Sequence, residues 1–325
     1  MAGQQSEFDL IARIRARAGQ RDDVLLGIGD DAAILRVPAG YDLVVSTDTL
    51  NVGVHFPIDT APSDIGWKSL AVNLSDLAAM GAKPAWCMLN LTLPAADSDW
   101  VDAFLDGFLA LAAQHDVALV GGDTTRGPLS ITVTAHGFVP HGTALRRSGA
   151  RIDDEVWVSG TLGDAAAGLA LVGRTDTQLR ARLDRPTPRV ALGIALRAIA
   201  NACIDVSDGL LADLGHVALA SNVGAEVDAA LLPTSSALLS AVDAASRIAM
   251  QLGGGDDYEL CFTASPARAS DVIAAATRVG TCVTRIGRIE AQPGLRVRIV
   301  DGVVRDAQAT GYQHFDAPRD GVGRA

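Results

Sequence analysis

Residues 63–84, SDIGWKSLAVNLSDLAAMGAKP, carry the clearest helical signal in the chain. Leu70, Leu74, Leu77 and Ala78 recur at the three-and-four spacing of a buried face, while Ser69, Asn73 and Asp76 recur at the same spacing on a polar stripe. Ser63 followed by Asp64 predicts an N-cap and an acidic first turn, Gly81 the residue past the C-terminus, and Pro84 the point beyond which no helix continues. A short carboxylate thus stands beside an amide on a largely apolar helix. Taken alone, Asp76 reads as a solvated or capping residue, because charged side chains are mostly exposed. Its weight comes from the other aspartates of the chain.

The chain around this helix is acidic: 325 residues, a formal net charge of −11, 49% hydrophobic and 20% charged residues. It has no Lys/Arg run and only 4% aromatics, so the phosphate-tracking surface and stacking platforms of a nucleic-acid binder are not expected. No apolar run is long enough to span a bilayer, and MAGQQSEFDLIARIRARAG shows no basic segment followed by an apolar one. A cytoplasmic protein with no membrane partner is the expectation. Cys87, Cys203, Cys261 and Cys282 lie far apart with no C-x-x-C pair, which speaks for reduced core cysteines over a disulfide framework or a zinc site. If so acidic a chain handles a polyanion such as a nucleotide, the repulsion must be neutralised, and clustered aspartates point to divalent cations.

Along the chain, Glu7–Ala18 has helical periodicity, Asp42–Thr47 and Ala85–Leu93 read as strands ending at Asp48 and Pro94, and Asp99–Gln114 is a second amphipathic helix. VALVGGDTTRG then leads into the strand LSITVTAHGFV. At RSGARIDDEVWVSGTLGDAAAGLALVG the pattern restarts with a strand, a Gly-rich turn carrying Asp164 and an Ala/Leu helix. A helix around Ala267–Val279 and the strand–turn region GLRVRIVDGVVRD follow. The pattern predicts an α/β (α+β) protein of two closely packed subdomains, residues 1–148 and 149–325, joined within Arg147–Asp154.

Four times an apolar run is followed by glycine and aspartate: LLGIGDD, ALVGGDTT, VSGTLGDAA and MQLGGGDD. VVSTDTL, with Asp48, and CIDVSDGL, with Asp205 and Asp208, are related. Each alone reads as an Asx turn. Together they suggest strand ends where glycine lets a ligand approach the backbone and aspartate presents its oxygens. Asp30, Asp48, Asp76, Asp123, Asp205 and Asp208 are hard oxygen donors without His or Cys companions, which suits magnesium and not zinc or copper. No Walker A string, kinase H-R-D or D-F-G set, or G-x-S-x-G elbow is present. His55, close in sequence to Asp48, reads either as a catalytic or as a structural hydrogen-bonding histidine. Direct in-line transfer between two bound substrates, with no protein nucleophile, fits this inventory.

Taken in order, GIGDDAA, STDTL, NLSDLAAMGAKP, GGDTTRGPLSITVTAHGFVP, RSGA, DVSDGLLADLGH and GGDDYELCF resemble the thiamine-monophosphate kinase family, of the aminoimidazole-ribonucleotide-synthetase-like ATP-binding superfamily. The likeness runs from about Phe8 to Phe315. It implies ATP-dependent phosphorylation of thiamine monophosphate to thiamine diphosphate with several magnesium ions, and a homodimer whose N-terminal sheets form a barrel-like interface. Position by position, it implies magnesium contacts at Asp30, Ser46, Thr47, Asp48, Asp76, Asp123, Asp205 and Asp208. Among these, Asp30, Asp76, Asp123, Asp205 and Asp208 are the carboxylates on which catalysis would rest. It implies ATP contacts at Gly121, Gly122, Asp123, Arg147 and Ser207, and thiamine phosphate contacts at His55, Asp256 and Tyr312. Two positions depart from the family pattern: Gln114-His115 stands where a tyrosine is frequent, and Asp256 replaces the glutamate of GGEDYEL. The alternatives are another ATP-dependent synthetase of the superfamily, for which no Cys or Lys near the N-terminus supplies an acceptor, and a nucleotide- and magnesium-binding protein without turnover.

Overall fold

The computed structural model describes residues 7–171, 177–299, 302–308 and 311–312. Phe315, where the family likeness ends, and the Val300-Asp301 pair of the last strand–turn region lie outside them.

The first half comprises α1 (Glu7–Arg17), the short strands β1 (Val24–Leu26) and β2 (Ile34–Leu35), β3 (Tyr41–Asn51), α2 (Pro62–Ala79), β4 (Lys83–Leu93), α3 (Ser98–Gln114), β5 (Ala118–Arg126) and β6 (Ser130–Pro140). β3, β6, β4 and β5 form a four-stranded sheet in that order, antiparallel except for the β4–β5 pair. The second half continues with β7 (Glu155–Ser159), α4 (Asp164–Ala170), α5 (Thr177–Asp184), α6 (Val190–Leu196), β8 (Ala202–Asp205), α7 (Leu210–Ser221) and β9 (Gly224–Asp228). It closes with α8 (Ser236–Ala241), α9 (Ala244–Gly253), β10 (Leu260–Ala264), α10 (Ala269–Arg278), β11 (Val283–Glu290), β12 (Gly294–Arg298) and β13 (Val304–Ala307). Its seven strands run β13-β12-β9-β11-β7-β10-β8, with only β9–β12 parallel. The chain is therefore α/β, as its pattern predicts.

α2 is the keystone of this arrangement. It packs on α3, β3 and β6 of the first half and on α5, α6 and β8 of the second, so it is buried nearly all round. Of the expected polar stripe, Ser69 and Asn73 are as inaccessible as Leu70 and Leu74, while Asp76 is half-buried. The first two are satisfied locally: Ser69 Oγ donates to the Gly66 carbonyl and Asn73 Nδ2 to the Ser69 carbonyl. The core accordingly runs through both halves, with Leu70, Phe104 and Ile131 in the same cluster as Trp157, Leu192 and Phe262. Where α2 crosses α3 the two backbones touch: a Cβ at Gly66 would stand 2.0 Å from the Phe104 carbonyl oxygen, and one at Gly107 1.7 Å from that of Ser63.

Several boundaries differ from the sequence expectation. α2 starts at Pro62 with Ala61 as an extended cap lacking any side-chain bond, so Ser63 is not the N-cap. Proline's fixed φ and missing N–H suit the first helical turn, and Ser63 instead accepts a hydrogen bond from Arg185 at 3.2 Å. Pro84 lies inside β4, where the register shifts, and not in a stop after the helix. β3 continues through Asp48 to Asn51, and GGDTT lies within β5 instead of beyond its end. Cys87, Cys203 and Cys261 are buried, but Cys282 is exposed. Among the described residues, no helix is long and apolar enough to cross a membrane.

Candidate active site

The centre of the site is where β3 lies against α2. Alternation along β3 turns Ser46 and Asp48 toward the helix and Thr47 away from it. Ser46 Oγ donates to the Asp76 carboxylate, the Asp48 amide donates to Asn73 Oδ1 at 3.1 Å, and the Asp48 and Asp76 carboxylates act on one another. One residue before Asp76 on α2, Ser75 Oγ donates to Asp205 Oδ2 at 2.7 Å, which ties the end of β8 to the same helix.

This is a concentration of like charge in poor solvent. Burial first, then the Asp76 and Asp208 charges, push Asp48 up to about 7. Burial likewise raises Asp76, against the hydrogen bond from Ser46, the interaction with Asp48 and the positive charge of Arg147. Asp205 lies well above the usual carboxylate range, because it is buried and faces Asp76. Asp48, Asp76, Asp205 and Asp208 thus act on one another, and Arg147 acts on Asp76. The donors are all oxygens, anionic or hydroxyl, so the set fits a hard cation. Among the described residues, no three His, Cys, Asp or Glu side chains form a group placed to hold a metal ion. Magnesium ordinarily takes one or two carboxylates and completes its shell with water and phosphate oxygens, so a full protein cage is not what it needs.

Not every expected residue joins this group. Thr47 Oγ1 bonds Thr134 Oγ1 at 3.0 Å on the opposite face of the sheet. Register places Asp123 opposite Asn90, itself opposite Thr132 and Thr49, so it too belongs to that outer, exposed face. What is seen of Asp30 and Asp123 is local: each accepts a hydrogen bond from the amide that follows it. Gly121 and Gly122 face Met88 and Leu89 across the β4–β5 register shift. Gly122 has φ 141°, and a Cβ there would lie 1.8 Å from the Leu89 carbonyl oxygen, so only glycine fits. Asp164, carried by one of the Gly-Asp strings, is buried at the start of α4 and receives hydrogen bonds from Thr161 and Ser235, a structural role.

His55, Asp256 and Tyr312, which the resemblance implies for the acceptor, connect to the carboxylates largely through one loop. Ser207, Asp208 and Gly209 follow β8, and their amides all donate to Asp213 Oδ2 at 3.0–3.1 Å. The Asp256 amide donates to the Ser207 carbonyl at 2.9 Å, and the Tyr312 amide to the Asp208 carbonyl at 3.2 Å. His55 closes the turn after β3, its Nδ1 accepting from the Asn51 amide at 2.9 Å. His55 and Asp256 are joined by Lys68 of α2, whose Nζ lies 3.0 Å from the His55 carbonyl oxygen and 3.2 Å from Asp256 Oδ1. Tyr312 is 40% exposed beside them in the chain of contacts through Asp208.

Sequence reasoning missed two residues here. Asp213 gathers three amides, and burial followed by the Asp208 charge pushes it up to about 7. Lys68 is 1% exposed. The available signals were an acid in the first turn of the helix after VSDG and a lone lysine in an otherwise apolar helix.

Comparisons with known proteins identify relatives along nearly the whole chain. Residues 29–139 match the family model for AIR synthase related protein, N-terminal domain, and residues 151–300 that for the C-terminal domain. The thiamine-monophosphate kinase of Salmonella typhimurium is 48% identical over 322 residues, covering 96% of this chain and 99% of the relative. The crystal structure of thiamine-monophosphate kinase from Stenotrophomonas maltophilia is 58% identical, with a TM-score of 0.85 over 91% of this chain and 97% of that one. AaThiL complexed with AMPPCP and TMP is 33% identical, with a TM-score of 0.76 over 95% of this chain and 97% of that one. The chain therefore belongs to the thiamine-monophosphate kinase family, within the AIR synthase related proteins.

Proposed function

We propose that this protein transfers the γ-phosphoryl group of ATP directly to thiamine monophosphate, giving thiamine diphosphate and ADP. The observation that carries the reading is the Ser207–Gly209 loop, which is shared by both halves of the site. Asp208 acts electrostatically on the Asp48 group, while the carbonyls of Ser207 and Asp208 hold the amides of Asp256 and Tyr312. Donor and acceptor groups built on one loop meet the positional demand of in-line transfer. The binding of AMPPCP and TMP together in AaThiL, at 33% identity along nearly the whole chain, supports the same pair of ligands.

The chemistry asked of the side chains is modest. The attacking phosphate oxygen is already ionised near neutral pH, so no general base is required. Asp48, Asp76, Asp205 and Asp208, with Ser46, would hold magnesium, which when bound neutralises the transferring phosphates; Asp30, Thr47 and Asp123, which the family resemblance adds, stand outside that group. Gly121 and Gly122 would let the nucleotide approach the β5 backbone, with Arg147 and Ser207 as further contacts. His55, Asp256 and Tyr312 would recognise the acceptor, Asp256 by charge and Tyr312 by its ring face toward a cationic heterocycle. In domain terms, residues 1–148 would carry the nucleotide side and residues 149–325 complete both pockets. Leu43, Val45 and Met88, each about two-fifths or more exposed on the outer face of the four-stranded sheet, support a homodimer through that face.

A coupled assay with purified protein, ATP, magnesium and thiamine monophosphate tests the reading: ADP should appear in step with thiamine diphosphate. ATP hydrolysis without thiamine diphosphate would overturn it. With γ-labelled ATP alone, no label should remain on the protein, because direct transfer leaves no phosphoryl-enzyme.

A further inference from the structure

Lys68 is among the largest fully buried side chains of the molecule, at 1% exposure. A buried ammonium requires compensating partners, and these come from three separate stretches. Its Nζ lies 3.0 Å from the carbonyl oxygen of His55, on the turn after β3, and 3.2 Å from Oδ1 of Asp256, on the loop before β10. Its charge also acts on Asp184 at the end of α5. The Tyr258 hydroxyl donates to the same Oδ1 at 3.2 Å, and among the described residues no donor reaches Asp256 Oδ2. Asp256 itself has φ 68°, in the left-handed region. Lys68 stands eight residues before Asp76 on α2, about 12 Å along a straight helix axis. One rigid helix therefore carries both a member of the carboxylate group and the lysine that joins the acceptor residues.

We infer that Lys68 is the positioning residue of the acceptor pocket: it locks the His55 backbone and the Asp256 carboxylate into one arrangement, occupying Oδ1 and leaving Oδ2 for the cationic acceptor. This rests on the functional reading above. Among the described residues, Lys68 contacts His55 and Asp256, so it acts on acceptor recognition through them.

The test is steady-state kinetics on the full-length protein with thiamine monophosphate and MgATP varied separately. Lys68→Met should raise KM for thiamine monophosphate about tenfold, as expected for loss of a charge-assisted pair, and leave KM for ATP within about twofold. Asp256→Asn should act in the same direction, and the double variant should be no worse than the worse single one, because both break one unit. Lys68→Gln, which removes the charge but keeps a donor, serves in place of Lys68→Met if thermal melting shows the latter unfolded. Equal rises in both KM values, or additive effects in the double variant, would overturn the inference. A wild-type protein that fails to phosphorylate thiamine monophosphate would instead overturn the functional reading, and that result is obtained before any variant is made.

Discussion

On one side of the site Asp48, Asp76, Asp205 and Asp208 crowd like charges into a buried cleft, with Arg147 the cation seen acting on Asp76. On the other side Asp256 meets a buried lysine of the same chain, with Tyr258 beside it. The first region is electrostatically incomplete as a polypeptide and is expected to be finished by metal ions arriving with the nucleotide. The second is complete before any ligand binds. The difference implies an order of sensitivity: the carboxylate side should trade stability for function, whereas the buried Lys68–Asp256 pair should be preorganised and lose both when disturbed.

The largest break of this contrast is Asp76→Asn. An amide keeps the volume and can still accept from Ser46, but it loses the charge through which Asp76 acts on Asp48 and Asp205. Turnover should fall by about a thousandfold or more, on the order of 4 kcal/mol of transition-state stabilisation, with a thermal midpoint at least equal to wild type. A folded Asp76→Asn protein of near-normal rate at saturating magnesium would remove Asp76 from the catalytic group.

Tyr312→Ala probes the acceptor side alone. Its ring is exposed, so the fold should not suffer, while KM for thiamine monophosphate should rise about tenfold, one to two kcal/mol for a lost cation–ring contact. KM for ATP should be unchanged. Equal weakening of both substrates would show that the two sides are not separable at residue 312.

A smaller effect sharpens the stability half of the contrast. Asp205 is buried against Asp76, and among the described residues its compensation comes from the Ser75 hydroxyl and its own backbone. Asp205→Asn should therefore stabilise the metal-free protein by about 1 kcal/mol, in the range of relieved active-site strain, while reducing activity. Magnesium with a non-hydrolysable nucleotide should raise the melting temperature of wild type, by mass action on the folded state, and raise that of the variant less. Parallel melts with and without EDTA measure both; an Asp205→Asn protein less stable than wild type without metal would contradict the repulsion argument.

What the sequence disclosed follows the same division. The carboxylates were legible because each sits in a local string, STDTL, NLSDL or DVSDG, whose residue types already imply oxygen chemistry. The helices and strands around them were legible from periodicity. Lys68 was not, because its meaning lies in partners 13 residues before it and 188 residues after it, His55 and Asp256. Asp213 was overlooked for the opposite reason: an acid in a first helical turn needs no further explanation until three amides of the preceding loop are seen to converge on it. Strand alternation, which the strings conceal, separates Thr47 from its neighbours Ser46 and Asp48, and GGDTT reads as a turn until its pairing with β4 is known.

The smallest expected effect concerns Asp256, where the family resemblance makes glutamate usual. Two features of this chain favour the shorter acid. Residue 256 has φ 68°, a left-handed conformation that aspartate tolerates better than longer side chains do. Its Oδ1 already lies within reach of Lys68 and Tyr258. A further methylene would move the carboxylate by about 1.5 Å, the length of one carbon–carbon bond, and would either break the Lys68 contact or push the free oxygen deeper toward the acceptor. Asp256→Glu should therefore lower stability by about 0.5 kcal/mol, part of the ordinary left-handed penalty, and raise KM for thiamine monophosphate about threefold with ATP unaffected. Lys68→Met should erase the difference between aspartate and glutamate at 256, since the contact that distinguishes them is gone. If glutamate instead improves the KM in the presence of Lys68, the carboxylate is not held by the lysine during acceptor binding, and the acceptor side is no more preorganised than the carboxylate side.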